Sequence, residues 1–295
     1  MTATRLQPRY VHKPWGRRDL TPWSDGLPPT TEPVGEIIFD AGAGPPADPE
    51  LLITALFTAE ALSVQVHPDA ATAASLGLPR GKDEAWVVLS AEPGARIGLG
   101  LTGPVSPDVL AAAARDGSIE ALLDSRPVHA GDVMLAEAGT IHAIGAGVVL
   151  IEVQQNLDLT YRLYDYGRLD HGVPRDLHLG PALAVATREV WAPAMAPRAM
   201  GAGRTAFVEG PNFVVERVRA HGTGRIGASQ QRPVWVAVVA GSGTVDGAAF
   251  IPGEVWFHTG AAQWHFNGEA DLVLAYPGDR AVDVAWQQVQ ARAVA

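Results

Sequence analysis

Gln65, His67, Glu84 and His142 offer one amide oxygen, two imidazoles and one carboxylate, all of them side chains that bind metal ions. Gln65 and His67 stand at i and i+2, so on a strand they point to the same face. Glu84 opens the apolar run 85–89, a further strand candidate, and His142 ends the turn-rich stretch Ala138-Gly139-Thr140-Ile141-His142. Delivered to one point from three strands, these four groups suit a catalytic zinc that keeps a coordination position open. Each segment also has a plainer reading. A strand with a solvent-exposed polar face accounts for Gln65 and His67, and a hairpin with an ordinary buried histidine accounts for His142. The chain has no cysteine, which removes disulfides and thiolate sites and leaves nitrogen and oxygen ligands.

Lys82 lies two residues before Glu84 and shares its face on a strand. A cation held by Glu84 would depress the lysine's pKa and favour its use as an acid or base. The run Lys82-Asp83-Glu84 equally suits a solvated charge cluster. In the polar stretch 152–168, alternation puts Asp158, Thr160 and Arg162 on one side and Leu157, Leu159 and Tyr161 on the other. A guanidinium held beside a carboxylate suits polar substrate oxygens, and Arg168 suits a phosphate. The same stretch also fits a surface strand with exposed ion pairs.

Many short strands must position these groups. The 32 Gly and 23 Pro in 295 residues punctuate apolar runs at 62–67, 85–89, 132–136, 148–154, 160–164, 213–218, 233–240, 254–258 and 271–276. That spacing predicts a mostly β protein, a sandwich or barrel rather than βαβ units. The stretches 238–243 and 252–255 look like parts of a jelly-roll barrel, so that two jelly-roll domains are expected. Helices enter as insertions. Ser106-Pro107-Asp108 starts one through 115, Ser118 starts another ending near 124, and Asp69 caps a turn or two through Leu76. Asp48-Pro49-Glu50 repeats the cap-then-Pro pattern and predicts a short helix through Ala55. The stretch 192–202, with Pro193 and Pro197, reads as a connector. Two β-domains are expected, 1–195 with the metal site and a helical insertion near 106–125, and a smaller 196–295. His258 and His265 in the second have no His-x-His partner or downstream Glu, so that domain is expected to carry no metal.

The net charge of −10 argues against a nucleic-acid binder but leaves an anionic small substrate open, since local Arg and Lys act at short range. The first nine residues have no apolar core of a secretory signal, and no stretch approaches the roughly 20 apolar residues that span a bilayer. A cytoplasmic protein is the expectation. Oligomeric state is not readable.

Taken together, Leu62-Ser63-Val64-Gln65-Val66-His67-Pro68-Asp69, Gly81-Lys82-Asp83-Glu84-Ala85-Trp86, Gly139-Thr140-Ile141-His142-Ala143 and the stretch from Gln154 to Arg168 resemble the type I phosphomannose isomerases of the cupin superfamily, most closely the short bacterial form. Pro14-Trp15-Gly16 and Gly35-Glu36 fit that family's opening segments, and the resemblance covers roughly residues 10–185. It implies one Zn²⁺ per chain on Gln65, His67, Glu84 and His142. It further implies Lys82, Asp158 and Arg162 as catalytic, and Trp15 and Arg168 as substrate-binding. Glu137 stands where the family usually has Pro, Leu157 replaces a small polar residue, and Ala85 a larger apolar one. None of these removes a ligand.

The implied activity is interconversion of mannose 6-phosphate and fructose 6-phosphate through an enediol. Cupin barrels also host iron oxygenases, epimerases and non-catalytic sugar-binding modules. His67, Glu84 and His142 alone would make the two-histidine, one-carboxylate set of an iron oxygenase.

Overall fold

The computed structural model describes residues 3–20, 23, 31–40, 48–191, 196–227, 232–282 and 286–288. Four antiparallel sheets stack in layers, and a fifth, two-stranded one forms a small hairpin. The first five-stranded sheet runs in the order Tyr161–Tyr164, Val64–Val66, His142–Ile144, Arg96–Leu101, Leu123–Pro127. Helices Pro107–Asp116, Ile119–Leu122 and Leu179–Val185 cover its outer face through Leu110, Ile119, Ala182, Val64, Val66 and Leu163. Its inner face packs Ile97, Leu99 and Ile144 against Trp15, Leu56, Trp86 and Leu150 of a six-stranded sheet. That sheet runs Gln7–Arg17, Val34–Asp40, Leu51–Phe57, Val148–Gln155, Glu84–Ala91, Val133–Ala136.

Alternation gives the six-stranded sheet a second apolar face. Ala85, Val87, Ile151 and Val153 point away from the first sheet and join Phe213, Val215, Trp235 and Val273 of a seven-stranded sheet in one core. The outermost sheet, which includes Ala262–Phe266 and Gly243–Val245, closes the far side over Trp264, Phe250 and Leu272. The chain's start crosses between halves, because Thr4–Arg5 pairs with Val255–Thr259 of the seven-stranded sheet. No helix among the described residues is long and apolar enough to cross a membrane.

Local signals placed most helices. Asp69 accepts the Thr72 amide at 2.7 Å and starts Ala70–Ser75, and Ser106 with Pro107 starts Pro107–Asp116. The helix expected from Asp48 through Ala55 is instead the strand Leu51–Phe57, paired on both sides in the six-stranded sheet. The cap-then-Pro pattern is overridden there by a run whose residues are nearly all buried, and burying both faces of a central strand outweighs a cap worth ~1 kcal/mol. The connector expected at 192–202 contains the strand Arg198–Gly201, while 192–195, and with them the expected boundary at 195, lie outside the described residues.

Candidate metal centre and its cavity

The strand Val64–Val66 sits between His142–Ile144 and Tyr161–Tyr164, with Gln65 opposite both His142 and Arg162. Three sequence-distant segments are thereby brought into adjacent register. Two glycines permit the close approach. A Cβ on Gly81 would lie 2.7 Å from the Ala70 nitrogen, so only glycine lets Lys82 donate its amide to the Pro68 carbonyl at 3.0 Å. Gly139 has φ +87° and donates its amide to the His67 carbonyl at 2.8 Å, tying the turn before His142 to the end of the His67 strand.

The result is a buried cluster of His67, Glu84 and His142, whose ligand atoms all lie within 4.8 Å of one another. His67 Nε2 stands 3.1 Å from Glu84 Oε1, and His142 Nε2 3.6 Å from Glu84 Oε2. Each histidine donates Nδ1–H to a backbone carbonyl, His67 to Leu159 and His142 to Thr140, both at 2.9 Å. Those bonds select the tautomer that turns an Nε2 lone pair toward the cluster. His67 Nε2 and Glu84 Oε2 are both buried with no hydrogen-bond partner. Buried lone pairs facing a carboxylate repel unless a cation sits among them, so the residues fit a divalent metal. Gln65 is at the rim. Its Oε1 accepts the Ser63 hydroxyl at 3.0 Å and its Nε2 faces His142 Nε2 at 3.2 Å, so the amide must turn over to offer its oxygen.

The charges around the cluster are set by burial and by one another. Burial pulls the Glu84 carboxyl up, but His67 and Lys82 more than reverse this and leave it well below the usual value. Burial lowers His142 to about 4, against the opposing pull of Glu84, so it is a neutral imidazole near pH 7. Lys82 Nζ lies 3.2 Å from Glu84 Oε1; burial pulls the ammonium down, Glu84 and Glu152 pull it up, and the balance is above the ordinary lysine value. The chain's own carboxylates therefore oppose the depression expected from a cation. Glu152 is pushed well above the usual range, first by burial and then by Glu84.

The cluster opens on a cavity of about 1100 Å³ lined by Trp15, Gln65, Lys82, Glu84, Glu152, Gln154, Asp158 and Arg162, with Lys13, Glu36, Arg175 and His178 further along its walls. Asp158 and Thr160 face it, but so do Leu157 and Leu159, because regular strand begins only at Tyr161. Arg162 has no carboxylate within 4 Å among the described residues; it donates to the Asp176 carbonyl at 3.0 Å, and its Nε is buried without a partner. Trp15 is a buried wall residue. Arg168 is not among the cavity's lining residues: its guanidinium donates to the Ala61 carbonyl at 2.6 Å and to Asp165 Oδ1 at 2.8 Å, and stacks on Tyr166.

Glu152 and Gln154 also line the cavity, although the sequence pattern does not single them out. They stand at i and i+2 in the strand Val148–Gln155, after its apolar run 148–151 and opposite Trp86 and Glu84, and Glu152 accepts the Trp86 indole N–H at 3.0 Å. Two polar residues on one face of such a strand were the available signal. Arg175 and His178, from the segment after the small hairpin, had no comparable one.

No family model matches the sequence. The mannose-6-phosphate isomerase of Streptococcus mutans is 34% identical over 229 residues, covering 74% of this chain and 71% of the relative. The chain belongs to the mannose-6-phosphate isomerase family. Bacillus subtilis ManA, also named a mannose-6-phosphate isomerase, is 38% identical over 137 residues, which is 45% of this chain and 43% of the relative. Among solved structures, a Bacillus subtilis mannose 6-phosphate isomerase superposes with a TM-score of 0.79 at 25% identity over 93% of this chain and 99% of that one. A putative mannosephosphate isomerase from Archaeoglobus fulgidus shares the fold at 17% identity, with a TM-score of 0.72 over 94% of this chain and 98% of that one.

Proposed function

We propose that this chain is a zinc-dependent aldose–ketose isomerase that interconverts mannose 6-phosphate and fructose 6-phosphate through an enediol. One observation carries the metal half of the proposal: two Nε2 lone pairs and an ionised carboxylate meet in a buried cluster at the wall of a polar cavity. Membership of the family supports the substrate. His67, Glu84 and His142 would hold one Zn²⁺, with Gln65 as fourth ligand after its amide turns. A bound zinc would supply Lewis acidity toward the sugar's carbonyl and hydroxyl oxygens, worth several kcal/mol of transition-state stabilisation.

The remaining roles belong to the chain's own groups. Isomerisation moves hydrogen between C1 and C2 and between their oxygens, so it needs a proton donor and a proton acceptor along the substrate. Lys82 is a charged donor fixed by Glu84, and Glu152, whose carboxyl burial and Glu84 push upward, is a second candidate for handling a proton at a substrate oxygen. Asp158 at the cavity wall would accept a proton or hold a hydroxyl. Arg162 offers a positive charge without a carboxylate partner to the phosphate or the developing enediol charge. Trp15 would shape the wall. Arg168 acts at one remove, ordering Asp165, to which Arg175 also donates at 3.3 Å.

The architecture proposed with this function is a pair of jelly-roll β-barrels of the cupin type, 1–195 carrying the site and 196–295 flanking it. The layered antiparallel sheets support it. The test is a coupled assay on the purified protein with mannose 6-phosphate, run beside a monitor of dissolved oxygen. Formation of fructose 6-phosphate without oxygen uptake is expected. Oxygen uptake, or binding of the sugar phosphate with no ketose formed, would overturn the proposal.

A further inference from the structure

Asp83 stands between Lys82 and Glu84, and strand alternation sends its side chain the opposite way. Lys82 and Glu84 face the cavity, whereas Asp83 shares the face of Ala85 and Val87, which pack on the seven-stranded sheet. Its carboxylate is buried, and both of its oxygens are occupied. Oδ1 accepts the Ala138 amide at 2.8 Å, at the turn that leads through Gly139 to His142. Oδ2 accepts the Asn212 side-chain amide at 2.6 Å. Its backbone is held as well, donating to Gln155 Oε1 at 3.1 Å and accepting from the Gln155 amide at 3.0 Å.

Asn212 comes from the other half of the molecule, 129 residues along the chain. It lies in the tight connection between strands Arg204–Glu209 and Phe213–Ala220, where Gly210 donates to the Phe213 carbonyl at 3.1 Å. Phe213, the next residue, is buried in the same core as Ala85, Val87 and Leu135, so the amide is delivered from a fixed base. Asn212 does not line the cavity, yet it bonds the residue that joins Lys82 to Glu84 and that also orders the His142 turn.

We infer that Asn212 is a positioning residue through which the second half of the chain holds Glu84 and the His142 turn in metal-binding geometry, with Asp83 as the clasp. A carboxylate bonded on both oxygens fixes two ligand-bearing segments relative to each other, and one loose segment is enough to spoil a convergent site. The second half then contributes to the centre without supplying a ligand. This rests on the proposed metal site and extends it.

The test reads Zn²⁺ affinity directly, by competition with a chromophoric chelator on the full chain, together with the denaturant midpoint of each variant. Asn212→Leu removes the amide at similar size, and Asn212→Asp sets a second carboxylate against Asp83. Loss of an outer partner of a metal ligand typically costs about 10–100-fold in affinity, and a weakening of that size is expected for both. The exchange D83N/N212D keeps every donor facing an acceptor: the amide introduced at position 83 can accept from Ala138 and donate to the carboxylate introduced at 212. It is expected to restore affinity to within about threefold of the original, which a merely structural contact would not predict. Zinc affinity unchanged in Asn212→Leu, with only the midpoint lowered, would overturn the inference. So would an exchange variant that folds and binds no better than Asn212→Asp. If Asn212→Asp does not fold, Asn212→Leu and the exchange variant decide. Absence of zinc binding by the unsubstituted chain would overturn the metal site itself and this inference with it, whereas equal binding by all variants overturns the inference alone.

Discussion

His142 and His258 are the same local object in two halves of the molecule, with different surroundings. Each is buried, each donates Nδ1–H to a backbone carbonyl two residues away, and each has its pKa lowered by burial. Around His142 the next groups are Glu84, His67, Gln65 and Lys82. His258 stands opposite Val234, on a sheet face whose core is Trp256, Trp264 and Val236, and its Nε2 has no partner. A buried imidazole with a fixed tautomer is therefore not yet a site. Convergence of other ligands on the lone pair makes the difference. In the first half that convergence comes from two neighbouring strands of one sheet, which bring Gln65, His67 and His142, and from Glu84 on the sheet facing them.

The contrast can be broken most severely at Glu84. Glu84→Gln removes the carboxylate of the cluster, so metal content by atomic absorption should fall to background and isomerisation with it. Retention of a full equivalent of metal would remove Glu84 from the ligand set. Lys82→Ala should keep the metal and lose about 10²–10⁴-fold in kcat, the usual size of an acid–base contribution. Near-full turnover would exclude Lys82 from the chemistry.

A smaller effect is the pH dependence of stability at His142. His142 is held at about 4, below its unfolded value near 6.5, so the unfolded chain binds more protons between those limits. The stability this neutral histidine contributes is complete above the unfolded value and is lost as pH falls toward 4, by at most about 3 kcal/mol in metal-free protein. His142→Gln should flatten denaturant midpoints compared at pH 7 and pH 4.5, and an unchanged slope would contradict the assignment. The smallest effect belongs to His258→Leu. The lost bond to Gly260 is offset by removal of an unpartnered buried nitrogen, so stability should move by about 1 kcal/mol or less and turnover by less than about twofold. A large loss of activity would mean the second half does more chemistry than its surroundings indicate.

The legible parts of this protein were those written in short-range pattern. Gln65 and His67 at i and i+2, and Lys82 and Glu84 at i and i+2, translate directly into shared faces, and Asp69 and Ser106 announce their helices. Where a local signal met a stronger non-local one, the local signal lost, as at Asp48-Pro49-Glu50 before the buried strand Leu51–Phe57. Arg168, expected as a substrate-phosphate contact, follows a turn that strand alternation does not describe. Tyr166 and Gly167 adopt φ of 59° and 67°, and that turn directs the guanidinium to Ala61 and Asp165 instead of the cavity. The Asp83–Asn212 contact joins residues 129 apart and depends on how two sheets face each other, which no window along the chain contains.

The central claim is that the His67, Glu84 and His142 cluster works through a bound metal. Its most direct measurement is conversion of mannose 6-phosphate to fructose 6-phosphate before chelation, after chelation, and after zinc is restored. Turnover is expected at first, then its loss, then its return at one equivalent of zinc per chain. Turnover that survives complete removal of metal would contradict it.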